Sequence, residues 1–256
     1  MNRKLERALS QSFKSLMLLK QSPFRLFEMT IWPLTSLFAF VFLVTAFSPD
    51  PGVLTIVILG MVGWQAVHQG QMGIAFNYTD EYWSNSLAHL WISPLRLSEF
   101  VLGGIITGIL KFLITATILL AAMFFTYGFV VPNWGLFVLA LAALFLFGVC
   151  IGMLNVGLMF LVGENAIALI WTLADIFVVL SGVYYSIELL PGPVKLFAQG
   201  LPSTYAFDVI KSTAGHAVAN WPVLMGLLGT WLFATFGFLN WAFKRAQQKG
   251  KLVRVM

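Results

Sequence analysis

Charge is what this sequence has least of. Only 10% of its 256 residues are Asp, Glu, Lys or Arg, against about 25% in an average soluble domain, so an ordinary water-soluble fold is excluded. Cysteine is nearly absent too: Cys150 stands alone in an apolar run, which rules out an intramolecular disulfide and leaves the redox compartment unreadable. No G-x-x-x-x-G-K-[ST] loop occurs. The nearest match, Gly250-Lys251-Leu252, lacks the earlier glycine and the hydroxyl residue, so ATP chemistry is not expected of this chain. No His/Cys/carboxylate cluster argues for an embedded enzyme, and no charged ring or carbonyl-loop motif argues for a channel; those two classes are the rival readings. No repeat and no low-complexity segment breaks the chain, which reads as one domain over residues 1–256.

What is present is apolar bulk. Apolar residues make up 59%, with nine Trp and twenty-four Phe, and mean hydropathy is +0.88. Six runs approach the roughly 20 residues needed to cross a hydrocarbon core: residues 29–47, 53–76, 104–129, 135–162, 167–185 and 222–243. The predicted fold is therefore an all-α integral membrane protein with six transmembrane helices. A net charge of +5 raises the question of nucleic acid, but twelve of the fifteen Lys/Arg lie in residues 3–25, at Arg96 and in residues 244–254. Those clusters flank spans, the positive-inside pattern. No nucleic-acid partner is expected. Six crossings put both termini on one side, and the basic residues make it the cytoplasm of a multi-pass cell-membrane protein, inner or plasma membrane. Lys195 and Lys211 alone remain outside. Residues 1–28 read as an interfacial helix, with Leu5, Leu9, Phe13, Leu16 and Met17 beside Arg3, Lys4, Arg7 and Lys14. Val44-Thr45-Ala46 imitates a signal cleavage site, but the run before it is too long for a signal core.

Between the second and third runs, residues 77–100 (NYTDEYWSNSLAHLWISPLRLSEF) are polar and rich in aromatics. Thr79 is placed to cap a short helix with Asp80 and Glu81 in its first turn. Trp83, Leu87, Leu90 and Trp91 would form its apolar stripe, and Ser93-Pro94 would stop it. Such a helix can lie in the lipid interface or press its stripe into a partner. Ser48-Pro-Asp-Pro-Gly52 and Val131-Pro-Asn-Trp134 read as tight outer turns and Gly163-Glu-Asn165 as an inner one. Residues 186–221 hold two apolar pieces too short to cross, expected as re-entrant or surface helices on the outer side.

Polar residues inside the runs are the remaining candidates, because an ionisable group in hydrocarbon faces protein or water. Gln65, His68, Gln69 and Met72 share one face of the second span, and Asp175 lies near the middle of the fifth; Asn155 sits within the fourth. They line either a translocation path or a dimer seam, or else hydrogen-bond between helices. Lys111 either pairs with Asp175 or snorkels to the inner interface. Gly104-xxx-Gly108 and Gly148-xxx-Gly152 suggest tight helix contact. Trp64, Trp134, Tyr184 and Trp221 read as interfacial anchors rather than sugar-stacking platforms.

Glu81 through Ser93-Pro94, followed by Arg96, Glu99 and Lys111, resembles the cytoplasmic loop of the type 2 family of ABC exporter permeases. Ser181-Gly-Val-Tyr-Tyr, Leu190-Pro191, Leu201-Pro202-Ser-Thr-Tyr205 and Asp208-Val-Ile-Lys211 resemble that family's signature around the fifth span. The chain differs from the commonest pattern at Ser203 and in its short inner loop at residues 163–165. The resemblance implies a permease subunit working as a homodimer or related heterodimer with ABC ATPase subunits. It places a coupling helix at Asp80, Glu81, Tyr82, Trp83, Leu87 and Leu90, and an outer gate around Gly182, Pro191, Pro202 and Tyr205. ATP and Mg would bind the partner, and this chain would hold no cofactor. The expected cargo is a drug-like compound or a lipid; a lipid-linked glycan is the alternative.

Overall fold

The computed structural model describes residues 3–47, 50–215 and 217–250, helical almost throughout, with no strand among them. Ser48 and Pro49 of the first outer turn, His216 of the last outer segment, and Lys251 and Arg254 of the C-terminal basic cluster lie outside the described residues. The helices are α1 (Arg3–Gln21), α2 (Pro23–Phe47), α3 (Pro51–Trp83), α4 (Leu87–Ile92), α5 (Leu97–Tyr127), α6 (Trp134–Val162), α7 (Leu169–Leu180), α8 (Gly192–Gln199), α9 (Pro202–Ser212) and α10 (Trp221–Gln248). Five of them, α2, α3, α5, α6 and α10, are long and apolar enough to cross a membrane. The chain is a multi-pass membrane protein.

The expected span at residues 167–185 departs from prediction. Only α7 is α-helical there, and its 12 residues reach about 18 Å, short of a hydrocarbon core of about 30 Å. A 3-10 turn (Gly163–Ala166) precedes it. At its end Gly182 takes φ 59°, a left-handed conformation that glycine adopts without a Cβ clash. Val183-Tyr184-Tyr185 follow that turn directly, which is why hydropathy alone reads a longer run.

At the centre α3 lies between α5 and α6 with backbones in contact. A Cβ on Gly148 of α6 would stand 2.1 Å from the Val67 carbonyl oxygen, and one on Gly73 of α3 would stand 2.4 Å from that of Gly104 on α5. Both small-xxx-small pairs therefore face α3, and the absent side chains permit dispersion contact along the helices. The outer helices are less enclosed. Of the most apolar stretch of each, 61% is buried in α3 and 67% in α6, against 17% in α2 and 22% in α10. On the far side of α6, α9 packs against α6 and α10, burying Phe207 and Ile210 beside Gly63 of α3.

The segment at residues 77–83 corrects the sequence reading. No helix starts at Thr79; α3 runs on to Trp83, and the Thr79 hydroxyl donates back to the Ala75 carbonyl. Asp80 and Glu81 thus lie in the last turn of a helix, where negative charge opposes the dipole. They are tolerated because cations from the first two helices meet them. Arg25 forks onto Asp80 at 2.6 and 2.9 Å, and Lys14 pairs with Glu81, whose side chain is 3% exposed. A third pair, Arg7 to Glu99 at 2.7 Å, ties α1 to the start of α5. The chain then turns at Asn85, which has φ 54°, before α4. Leu87 and Leu90 are buried in this chain's own core, and Trp91 packs on Phe100, Phe160 and Phe243. The predicted stripe is consequently split, with Trp83 alone of its members exposed.

α1 buries Ala8, Gln11, Ser12 and Ser15 and turns Leu5, Leu9, Phe13 and Met17 outward. Polar contacts, Thr107 to Ser12 at 3.1 Å and Ser15 to Asn77, hold its inner face. The outward face of α1 thus carries apolar residues.

Gly148→Ala should lower stability by about 1–3 kcal/mol through overpacking, seen as a lower Tm in detergent. Gly229→Ala on α10, where an added Cβ meets nothing within 4 Å, should leave Tm unchanged or raise it slightly.

Candidate functional site

α2, α3, α5 and α7 enclose a chamber of about 710 Å³, within the range of roughly 300–1,000 Å³ for ligand sites. Its back wall is the polar face of α3 read from the sequence. Gln65, His68, Gln69 and Met72 all line it, and α7 brings Asp175 into the same space. α7 is held there by the Gln71 side-chain amide, which donates to the Ile170 carbonyl, and by edge contact between Trp171 and Phe76 at 5.8 Å. Asn155 does not join them. It is fully buried on α6, away from the chamber, with neither amide atom partnered among the described residues.

The chamber has two distinct ends, termed outer and inner after the sidedness expected from the basic residues. At the outer end Phe40 of α2 stacks on Tyr184 at 4.9 Å, and the Tyr184 hydroxyl donates to the Met61 sulfur at 2.5 Å. Trp64 belongs to this wall and is 9% exposed. It sits mid-way along α3, so its anchor reading is replaced by a lining role, and Tyr184 likewise packs on a ring of its own chain. At the inner end Phe76 lies between two cations, the Arg25 guanidinium 5.8 Å and the Lys111 ammonium 5.7 Å from its ring centre. Glu28 lines the same end. Lys111 meets neither expectation: it makes no ion pair with Asp175, and it stays 92% buried rather than reaching out to water.

Within the wall, polar atoms are left open. Gln65 Oε1 and His68 Nδ1 are buried without partners among the described residues, a cost that a ligand or water in the chamber would offset. The α2 wall shows the opposite economy. Pro33 lines the chamber and has no N–H for the Met29 carbonyl; Thr115 of α5 donates to that carbonyl at 3.2 Å instead.

Sequence reasoning missed the contribution of α2. Arg25, Glu28, Trp32 and Phe40 all line the chamber, yet residues up to 28 read as an interfacial helix. The available signal was Glu28, an acid at the edge of an apolar run with no basic residue one turn after it.

Of the residues expected at the outer gate, Gly182 and Pro202 are buried, Tyr205 is half-buried and Pro191 is exposed. Pro191 and Pro202 start α8 and α9, and Tyr205 lies on α9. Lys211 of α9 reaches back to the carbonyls of Gly182 at 2.6 Å and Tyr185 at 3.0 Å, and Ser181 and Ser203 share a hydrogen bond at 2.6 Å. Burial pushes the Asp208 carboxyl up and the Lys211 ammonium down, with their attraction across 3.5 Å opposing both shifts. On the opposite face, the residues expected to couple to a partner divide. Tyr82 hydrogen-bonds Glu164 at 3.2 Å, Asp80 and Glu81 are held by Arg25 and Lys14, and the exposed groups of the elbow include Trp83, His89 and Ile92 beside the smaller Ser84, Asn85, Ser93 and Pro94.

A protein-family model described as "ABC-2 family transporter protein" matches residues 9–243. No curated protein matches the chain.

Thiol labelling tests the chamber, since native Cys150 is buried and supplies a silent background. Asp175→Cys should react with a small water-soluble maleimide at least about tenfold faster than Asn155→Cys, measured as labelling rates in detergent.

Proposed function

The chain belongs to the ABC-2 family of transporter proteins, and from that premise we propose that it is the permease subunit of an ATP-driven exporter whose substrate passes through the α2/α3/α5/α7 chamber. Membership implies an ABC ATPase as partner, and ATP with Mg belongs on that subunit. The observation that carries the reading is the chamber wall itself. One rigid helix presents Gln65, His68 and Gln69 to an apolar space and continues without a break to the elbow where Trp83 is exposed. A push on the elbow therefore moves the wall.

In this reading α7 and its flanking 3-10 turn complete a sixth, thin crossing. Both termini then lie in the cytoplasm of a cell-membrane protein, as the basic residues of α1 and α10 favour. α8 and α9 are the outer re-entrant pair, and Gly182, Pro191, Pro202 and Tyr205 shape the gate. A second copy, identical or related, closes the open side of the chamber along the lightly packed α2. The ATPase receives the elbow, with Trp83 and Ile92 in contact and Asp80, Glu81, Leu87 and Leu90 fixing its position from behind. The aromatic walls, Trp32, Trp64, Trp171 and Tyr184, favour a hydrophobic or amphipathic cargo.

Purification from native membranes in mild detergent should bring a Walker-motif ATPase with the chain; repeated purification alone would sink the proposal. Trp83→Ala with Ile92→Ala should reduce ATPase capture about tenfold or more with membrane insertion and Tm unchanged. Unaltered capture would remove the elbow from the interface.

A further inference from the structure

The inner end of the chamber holds a cation that has no hydrogen bond and no ion pair among the described residues. Lys111 projects from α5 and is 8% exposed. An ammonium carries three N–H donors and no acceptor. Among the described residues its Nζ makes no hydrogen bond and has no carboxylate within 4.0 Å. It stands over the ring of Phe76, 5.7 Å from its centre. Asp80 and Glu28 attract it through space and Arg25 repels it, while Arg25 itself is engaged by both oxygens of Asp80. The two cations at this end are thus unequal: one is consumed, the other is open toward the chamber. The ammonium tip is not fully enclosed and lines the chamber, where a cation without a paired acid favours a counter-charge. Asp175, the opposite charge further along, is exposed and pays far less for being unpaired.

Beyond Lys111 the chamber has two kinds of wall: Phe76, Met72, Trp171 and Trp32 are apolar or aromatic, while Gln65, His68 and Gln69 of α3 and Asp175 of α7 are polar. The wall of α3 extends from Phe76 to Met61, about 22 Å at the helical rise. A space of this length, with an open ammonium at one end and an aromatic strip running on from it, can seat a molecule with an anionic head and an apolar tail.

We propose that the chamber takes an anionic amphiphile, its phosphate or carboxylate group held by Lys111 and its hydrocarbon portion laid along the aromatic wall. The inference rests on reading the chamber as the transport path. Loading would occur from the inner end, where the headgroup meets Lys111 as the chain slides past Phe76.

The test compares headgroups on one hydrocarbon tail. The full chain, purified in a neutral detergent, is titrated with dodecyl phosphate, dodecyltrimethylammonium and dodecanol. Quenching of chamber tryptophans reports occupancy, and native mass spectrometry counts bound molecules. Dodecyl phosphate should bind about tenfold or more tighter than the other two, as a charge-assisted hydrogen bond would give. Lys111→Met should reduce it to the level of dodecanol, and Lys111→Arg should retain the preference. Inorganic phosphate should not compete. Equal binding of all three tails, or preference for the ammonium, would overturn the inference and leave the path reading standing. So would an unchanged preference in a Lys111→Met variant that elutes as the native chain does. Competition by inorganic phosphate as strong as that of dodecyl phosphate would assign the site to a soluble anion and overturn the amphiphile. If none of the tails bound, both the path reading and the inference would fall. The headgroup comparison is made on the unsubstituted chain, so it decides even if a variant fails to fold.

Discussion

Backbone contact along α3 is the constraint on which the rest depends. In lipid there is no hydrophobic drive to press one apolar helix onto another, so close approach must supply the cohesion. Here Gly70 and Gly73 on α3 and Gly104 and Gly148 on its neighbours remove the side chains that would keep the helices apart. Because α5 and α6 clasp α3 from two sides, its third side is fixed in orientation. That side carries Gln65, His68, Gln69 and Met72. The polar face is therefore a consequence of the glycine faces: once two directions are spent on packing, the remaining one opens on the chamber.

The same rod has two jobs at two depths. Its 33 residues measure about 50 Å, enough to line the chamber and still extend beyond the apolar zone to the elbow. Acids at its far end would fray it, and Arg25 and Lys14 prevent that. Arg25 also borders the chamber through Phe76, so the ion pair that steadies the elbow and the ring that narrows the inner mouth share one side chain. A shift of the elbow that strained the Arg25–Asp80 fork would be felt at Phe76 without any intermediate chain of contacts.

Much of this was legible beforehand. Five spans, the glycine pairs and the shared face of Gln65, His68 and Gln69 follow from period and composition, which are local properties. What escaped depends on partners far away in sequence. Thr79, Asp80 and Glu81 look like a helix start because their neighbours are polar; they end a helix because Arg25 and Lys14 arrive from more than fifty residues upstream. Leu87 and Leu90 have the spacing of an outward stripe, but the reversal at Asn85 directs them into the core. α7 is shorter than its apolar run since hydropathy is blind to a glycine turn. Lys111 has two plausible destinations in one dimension, and only the placement of Phe76 and Arg25 shows that it takes neither.

The ion pairs of α1 and α2 also bear on how the chain comes to be oriented. In the proposed topology Arg7, Lys14 and Arg25 belong to the basic excess that would orient the first span, and each ends on a carboxylate that is synthesised dozens of residues later. During insertion those cations are unpaired and at full strength; after folding they are neutralised by Glu99, Glu81 and Asp80. Orientation and assembly thus draw on one set of charges in succession. In the proposed topology an early chain would meet the membrane's anionic surface with these cations free, and the folded chain, with its own acids on them, is less basic on that face than its composition suggests.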